Sequence, residues 1–128
     1  EIPGQSFDAV ISVSALEHIP LADLPEALRE IRRVLKPAAN AAITTSGTDR
    51  DTTWFHDPAK GLCFSEYDLQ QMFSAVREPG PDAEHVLELY RKNTYLKEHL
   101  AEFYRHSGQN GMPWGKWNPS YIPVGLWR

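Results

Sequence analysis

The chain has 128 residues, 41% hydrophobic and 23% charged, with a formal net charge of −4. This composition suits one globular domain and excludes a disordered or fibrous class. The acidic balance also disfavours a general nucleic-acid binder, which needs a basic surplus to neutralise phosphates. Cys63 is the only cysteine, so no intrachain disulfide can form, which fits a reducing compartment. No apolar run approaches the ~20 residues needed to span a bilayer, and no secretion signal is present. A soluble cytoplasmic protein is the expectation.

Residues 1–6 are polar, with Pro3 and Gly4, and read as a turn. Phe7 to Val13 follows as a short, nearly continuous apolar run through Ala9, Val10, Ile11 and Val13. Such a run predicts a strand covered on both faces, as in a parallel sheet. A helix comes next. Asp23 is its expected N-cap, with Glu26 closing a capping box and Pro25 in the first turn, where a missing N–H is harmless. Leu24, Leu28, Ile31 and Leu35 line one face, Lys36 suits the negative end of the helix dipole, and Pro37 stops the helix. Ala38-Ala39-Asn40 reads as a tight connection into a thin strand, Ala41 to Ser46, whose only large aliphatic residue is Ile43. Strand, helix and strand of these lengths predict a parallel β-α-β unit.

Ser46 to Pro58 reads as a polar loop. A second helix is expected from Ser65 to Val76, capped by Ser65 with Asp68 at its third position and Leu69, Met72, Phe73 and Val76 on its apolar face. Glu78-Pro79-Gly80-Pro81 is a break. The third helix is expected from Asp82 to His106, with Val86, Leu89, Tyr90, Leu96, Leu100, Phe103 and Tyr104 at helical spacing and a charged outer face. That face is either solvated or binds a partner. Ser107 to Pro119 is a Gly-, Asn- and Pro-rich loop carrying Trp114 and Trp117. Tyr121 to Arg128 reads as a last strand, placed at an edge or a bulge by Pro123.

In an open parallel α/β sheet, ligands bind beyond the carboxyl ends of the strands. The two such ends here are Val13 to His18 and Ser46 to His56. His18 is suited to accept a proton near neutrality, or else is a packed structural residue. His56 and Asp57 are open to the same two readings. Trp54 and Phe55 either wall an apolar ligand or close the core. Asp49-Arg50-Asp51 is a solvated acidic turn or a divalent-metal loop of the kind a glycosyltransferase would use. Cys63 reads as packing, and His85, His99 and His106 as structural or surface residues.

The combination of FDAVISVSALEHI, a helix ending in RRVLKP, the loop WFHDP and the helix entry CFSEYDLQQMF resembles the later half of class I S-adenosylmethionine-dependent methyltransferases. The resemblance covers roughly residues 5 to 76. It departs at Ala38-Ala39-Asn40, where two glycines are usual, and after Val76, where a helix stands in place of a common strand. It implies a partial Rossmann-like α/β sheet, a parallel β-α-β unit with a C-terminal edge strand and an added long helix. It implies transfer of a methyl group from S-adenosylmethionine to a small-molecule or sugar-like acceptor. Val13, Ser14 and Ala15 would line the cofactor, Glu17, Trp54 and Phe55 the substrate, and His18 or His56 would serve catalysis; no metal site is implied.

The family's glycine-rich cofactor loop and its ribose-binding acid are absent, and the chain opens almost directly on a strand without Met. Residues 1–128 are therefore expected to be the C-terminal part of a single larger methyltransferase-like domain, inactive alone. The expected partners are the methyl acceptor and either a missing N-terminal segment or a second copy, not nucleic acid or membrane. The competing reading is a non-catalytic interaction module that uses the long helix and the Trp-rich tail.

Overall fold

The computed structural model describes residues 2–76, 82–93, 95, 99 and 122–127. It is built on two neighbouring parallel strands, β1 (Phe7–Val13) and β2 (Leu35–Gly47), joined through helix α1 (Leu24–Val34). Ile11 lies opposite Ala42 and Val13 opposite Thr44. The expected α/β class and parallel β-α-β unit are present.

The helix-to-strand connection differs from expectation. No separate loop occupies Ala38-Ala39-Asn40, because the backbone is already extended at Leu35 (φ −75°, ψ 136°). Pro37 bars helical geometry at Lys36, so α1 ends early and the chain runs straight into β2. The pairing step from Phe7↔Leu35 to Ala9↔Asn40 is irregular and absorbs the extra β2 residues. Pro37 falls in that irregularity, where the ladder asks least of its missing N–H.

The start of α1 also differs. The side chain of Asp23 makes no capping hydrogen bond, and the residue itself has near-helical angles (φ −93°, ψ −15°). The helix is instead entered through a backbone turn, with the N–H groups of Asp23 and Leu24 bonded to the Pro20 carbonyl. Glu26 faces along the helix to Arg29 at 2.5 Å rather than back to a cap.

The both-faces-covered reading of β1 fails. Ile11 is 74% and Val13 68% exposed, while α1 and α2 (Glu66–Val76) pack against each other and against β2. The core gathers Leu16, Leu28, Ile43, Phe64, Phe73 and Leu87. The thinness of β2 lets the helices approach closely over Ile43, which is buried.

The region read as a polar loop contains a hairpin. Strands β3 (Trp54–His56) and β4 (Gly61–Cys63) pair antiparallel around a single 3-10 turn, Asp57–Ala59. Three-residue strands are too short to show an alternating pattern in sequence. Phe64 docks this hairpin on the carboxyl end of β2. Its N–H bonds the Ser46 carbonyl and its own carbonyl accepts from Thr48, each at 2.9 Å.

Helix α2 begins at the expected cap. Ser65 Oγ accepts the Asp68 N–H at 3.3 Å and donates to the Asp68 carboxylate at 3.2 Å. Thr53 completes the cap. Its hydroxyl accepts the Ser65 N–H at 2.9 Å and donates to Asp68. Helix α3 (Ala83–Lys92) starts at Asp82, whose carboxylate accepts the N–H groups of Glu84 and His85 at 3.0 and 3.3 Å. Its buried side is Ala83 and Leu87, whereas Leu89 is 57% exposed. The expected stripe through Leu89 is thus rotated, because α3 packs on α2 along the Ala83–Leu87 line, one helical repeat of four residues. Tyr95 and His99 continue in helical conformation with rings stacked at 4.2 Å. The rest of the expected helix and the Trp114–Trp117 loop lie outside the described residues.

Strand β5 (Ile122–Trp127) pairs antiparallel with the outer side of β2, giving the order β1-β2-β5. Pro123 lies opposite Ser46, in the edge strand its ring requires.

The Thr53 bridge should dominate the stability of the α2 start. Thr53→Ala is expected to cost about 1–2 kcal/mol, the usual range for a lost helix cap. Asp23→Ala should cost no more than the ~0.3–1 kcal/mol of a charge near a helix N-terminus. Urea melts of the two variants check the order, and an Asp23 effect larger than the Thr53 effect contradicts it.

Candidate functional site

At the carboxyl end of β1 the chain reverses at Ser14, which takes a positive φ of 45°. The turn is held from β2: the Ser14 N–H bonds both the carbonyl and the hydroxyl of Thr44, at 3.0 and 3.1 Å. Residues Leu16–His18 then form one 3-10 turn. It directs Leu16 and Glu17 into the fold, both 4% exposed, and leaves His18 at the surface.

Glu17 is a buried carboxylate held by the next threonine along β2. Thr45 Oγ1 donates to its Oε2 at 3.1 Å. The resemblance implies a Glu17 that lines the substrate; the structure instead buries it, between β2 and the β3–β4 hairpin. Gly61 makes room for it. A Cβ at position 61 would stand 3.2 Å from both Glu17 Cγ and His18 Cε1. The adjacent Lys60 has φ 53° and ψ 37°, and its carbonyl lies 2.8 Å from His18 Nδ1. Thr45, Lys60 and Gly61 are contributors that sequence reasoning missed. The one visible signal was the glycine following Asp-Pro-Ala-Lys.

The structure brings Val13, Ser14, Ala15, Glu17 and His18 together at one strand end. Val13, Ser14, Ala15 and His18 are exposed there. The second loop behaves differently. His56 is buried and its ring lies 5.1 Å from that of Trp54. Burial pushes its pKa below the ordinary value, Arg50 adds to this, and Asp57 opposes it. Trp54 is tied down by its Nε1–H to Thr48 Oγ1 at 3.1 Å and by the Arg50 guanidinium 4.1 Å over its ring. Phe55 is exposed. Cys63 is fully buried beside this hairpin, and burial pushes its thiol up to about 12. It is a packing thiol, as read from sequence.

Asp49 and Asp51 border an open polar cleft of about 290 Å³ with Arg50, Glu66, Tyr67 and Arg91. Among the described residues no group of three or more His, Cys, Asp or Glu side chains is placed to hold a metal ion. A larger cleft of about 780 Å³ lies at the other end of the sheet, between Gly4, Gln5, Arg33 and Lys36. It is remote from both strand-end loops. Among the described residues no helix is long and apolar enough to cross a membrane.

A methyltransferase domain family matches residues 1–43, which takes in β1, the strand-end loop, α1 and the start of β2. Thirteen chains of solved structures match. One, the [4+2]-cyclase SpnF, is 26% identical, covers 58% of this chain and 26% of its own, and superposes with a TM-score of 0.47. None of the curated proteins matches. The chain therefore carries a methyltransferase-like segment over its first third, with the mixed α/β architecture that the resemblance implied. It spans about a quarter of the SpnF chain.

Two measurements follow from the buried polar groups. Thr45→Val keeps the shape but removes the donor to Glu17, and should destabilise the fold by about 1–3 kcal/mol. A loss under ~0.5 kcal/mol in urea melts, the level of a neutral surface change, would show that Glu17 finds another partner. His56 gives the second. Its folded pKa is lowered, so the unfolded chain binds the extra proton as pH drops through the ordinary 6.5. The stability it confers is complete above that value and is lost as pH falls below it. His56→Gln should flatten the fall of stability with decreasing pH below 6.5. An unchanged slope would assign the acid sensitivity to other groups.

Proposed function

We propose that this chain is the C-terminal part of an S-adenosylmethionine-dependent methyltransferase acting on a small-molecule or sugar-like acceptor in the cytoplasm. One observation carries the reading. The segment that matches a methyltransferase domain, residues 1–43, contains the strand end whose exposed residues form the candidate site. The open face of β1 at Ile11 and Val13 supports the view that a further part of the domain covers this strand.

The residues present fit one wall of a cofactor site. Val13, Ser14 and Ala15 stand exposed at the carboxyl end of β1, where ligands bind in open parallel sheets. The Ser14 N–H is already taken by Thr44, so this wall offers surface and shape more than backbone donors. S-adenosylmethionine, when bound, supplies a sulfonium methyl group open to nucleophilic attack. His18 is exposed at the same strand end and is suited to take the proton that an acceptor hydroxyl or amine must lose. Phe55 presents an apolar surface to an acceptor. Glu17 is held within the fold and acts by keeping the 3-10 turn in place beneath His18. The main contribution of such a site is alignment, which alone can supply a large part of a rate enhancement.

Titration calorimetry of the longest form of the protein with S-adenosylmethionine tests the reading. One-to-one binding is expected, and Val13→Arg should weaken it by at least about tenfold, or ~1.4 kcal/mol. A folded protein that takes up no cofactor would overturn the proposal.

A further inference from the structure

We propose that the β3–β4 turn is a positioning element for His18. The Lys60 carbonyl holds the ring as its Nδ1–H tautomer, and Nε2 is the nitrogen offered to the acceptor. The inference rests on the reading of His18 as the proton acceptor and adds which atom acts and what selects it.

His18 Nδ1 lies 2.8 Å from the Lys60 carbonyl oxygen. A carbonyl oxygen accepts and never donates, so Nδ1 must carry the proton in this bond. In a neutral imidazole the lone pair then resides on Nε2. When Nε2 takes a proton, the Nδ1–H bond to Lys60 is retained and is strengthened by the positive charge on the ring. The ring can therefore cycle between its two states without turning.

The backbone around Lys60 aims this carbonyl. The 3-10 turn Asp57–Ala59 feeds into a left-handed Lys60, whose N–H closes back on the Asp57 carbonyl at 3.1 Å. The Lys60 ammonium is turned away to the Asp57 carboxylate at 2.6 Å, so the positioning group is the carbonyl and not the charge. Gly61 is the second requirement. A Cβ there would lie 3.2 Å from His18 Cε1 and 3.4 Å from Nδ1, and 3.2 Å from Glu17 Cγ. Glu17 is itself anchored by Thr45 and cannot yield freely. A Cβ at 61 would require the imidazole to give way, away from the carbonyl, since Glu17 is the less free of its two neighbours.

Nitrogen-15 NMR of the uniformly labelled full chain, at a pH where imidazoles are neutral, reads the tautomer directly. The His18 signals are identified by their loss in His18→Gln. The expected result is a protonated Nδ1 and a bare Nε2; the opposite tautomer overturns the inference. Lys60→Asn, which tolerates the left-handed conformation, should leave the tautomer unchanged. In Gly61→Ala the ratio of Nδ1–H to Nε2–H forms should fall about two- to tenfold, the range set by one net hydrogen bond. A folded Gly61→Ala protein with an unchanged ratio also overturns it. None of these readings involves cofactor. A wrong tautomer therefore refutes the positioning role and leaves the methyl-transfer proposal standing, while absence of cofactor binding with the expected tautomer refutes methyl transfer and the acceptor role of Nε2 and leaves only the selection of the tautomer by Lys60 standing.

Discussion

The parallel pairing of β1 with β2 at Val13 and Thr44 is the constraint from which the candidate site follows. It sets two consecutive threonines of β2 beside the loop that leaves β1. Thr44 holds Ser14 in its reversed conformation through two acceptors, and Thr45 holds the Glu17 carboxylate. A shift of β2 by one residue would exchange the faces of these threonines. Both anchors would then be lost and the 3-10 turn that exposes His18 would have no support.

The hairpin β3–β4 supplies the opposite wall. It is fastened to the end of β2 through Phe64 and to the start of α2 through Thr53. Several polar groups meet there, and each is placed by contacts between segments far apart in sequence. Thr53 lies 12 residues before the N–H it caps, and His18 lies 42 residues from the carbonyl it meets. Where such a group is buried, as the Glu17 carboxylate is, a missing partner is costly, and Thr45 supplies one.

Coverage divides unevenly over β1 and β2. Ile43 lies under α2 and its neighbours, while Ile11 and Val13 stand in the open. Burial of a branched aliphatic side chain is worth roughly 1.5–3 kcal/mol. The exposed pair therefore represents favourable energy left unused, and it lies next to the residues of the proposed cofactor wall. Strand, loop and open face form one continuous surface at the carboxyl end of the sheet.

Much of this was legible without coordinates. Local rules determined that Phe7–Val13 is a strand, that Pro37 ends α1, that Ser65 and Asp82 open helices, and that Pro123 belongs to an edge. Each depends on a few adjacent residues and on backbone sterics or capping. The motif around Ala15 to His18 likewise pointed to the loop where the candidate site lies. Other features were decided only in three dimensions. Apolar content did not reveal that one face of β1 is open, because it records the capacity for burial and not the presence of a neighbour. Helical spacing did not separate Leu87 from Leu89, because either line can face a core and α2 made the choice. The burial of Glu17, the role of Gly61 and the bond from His18 to Lys60 all arise where distant segments meet. No local pattern encodes such a meeting; the β1–β2 register and the docking of the hairpin bring it about.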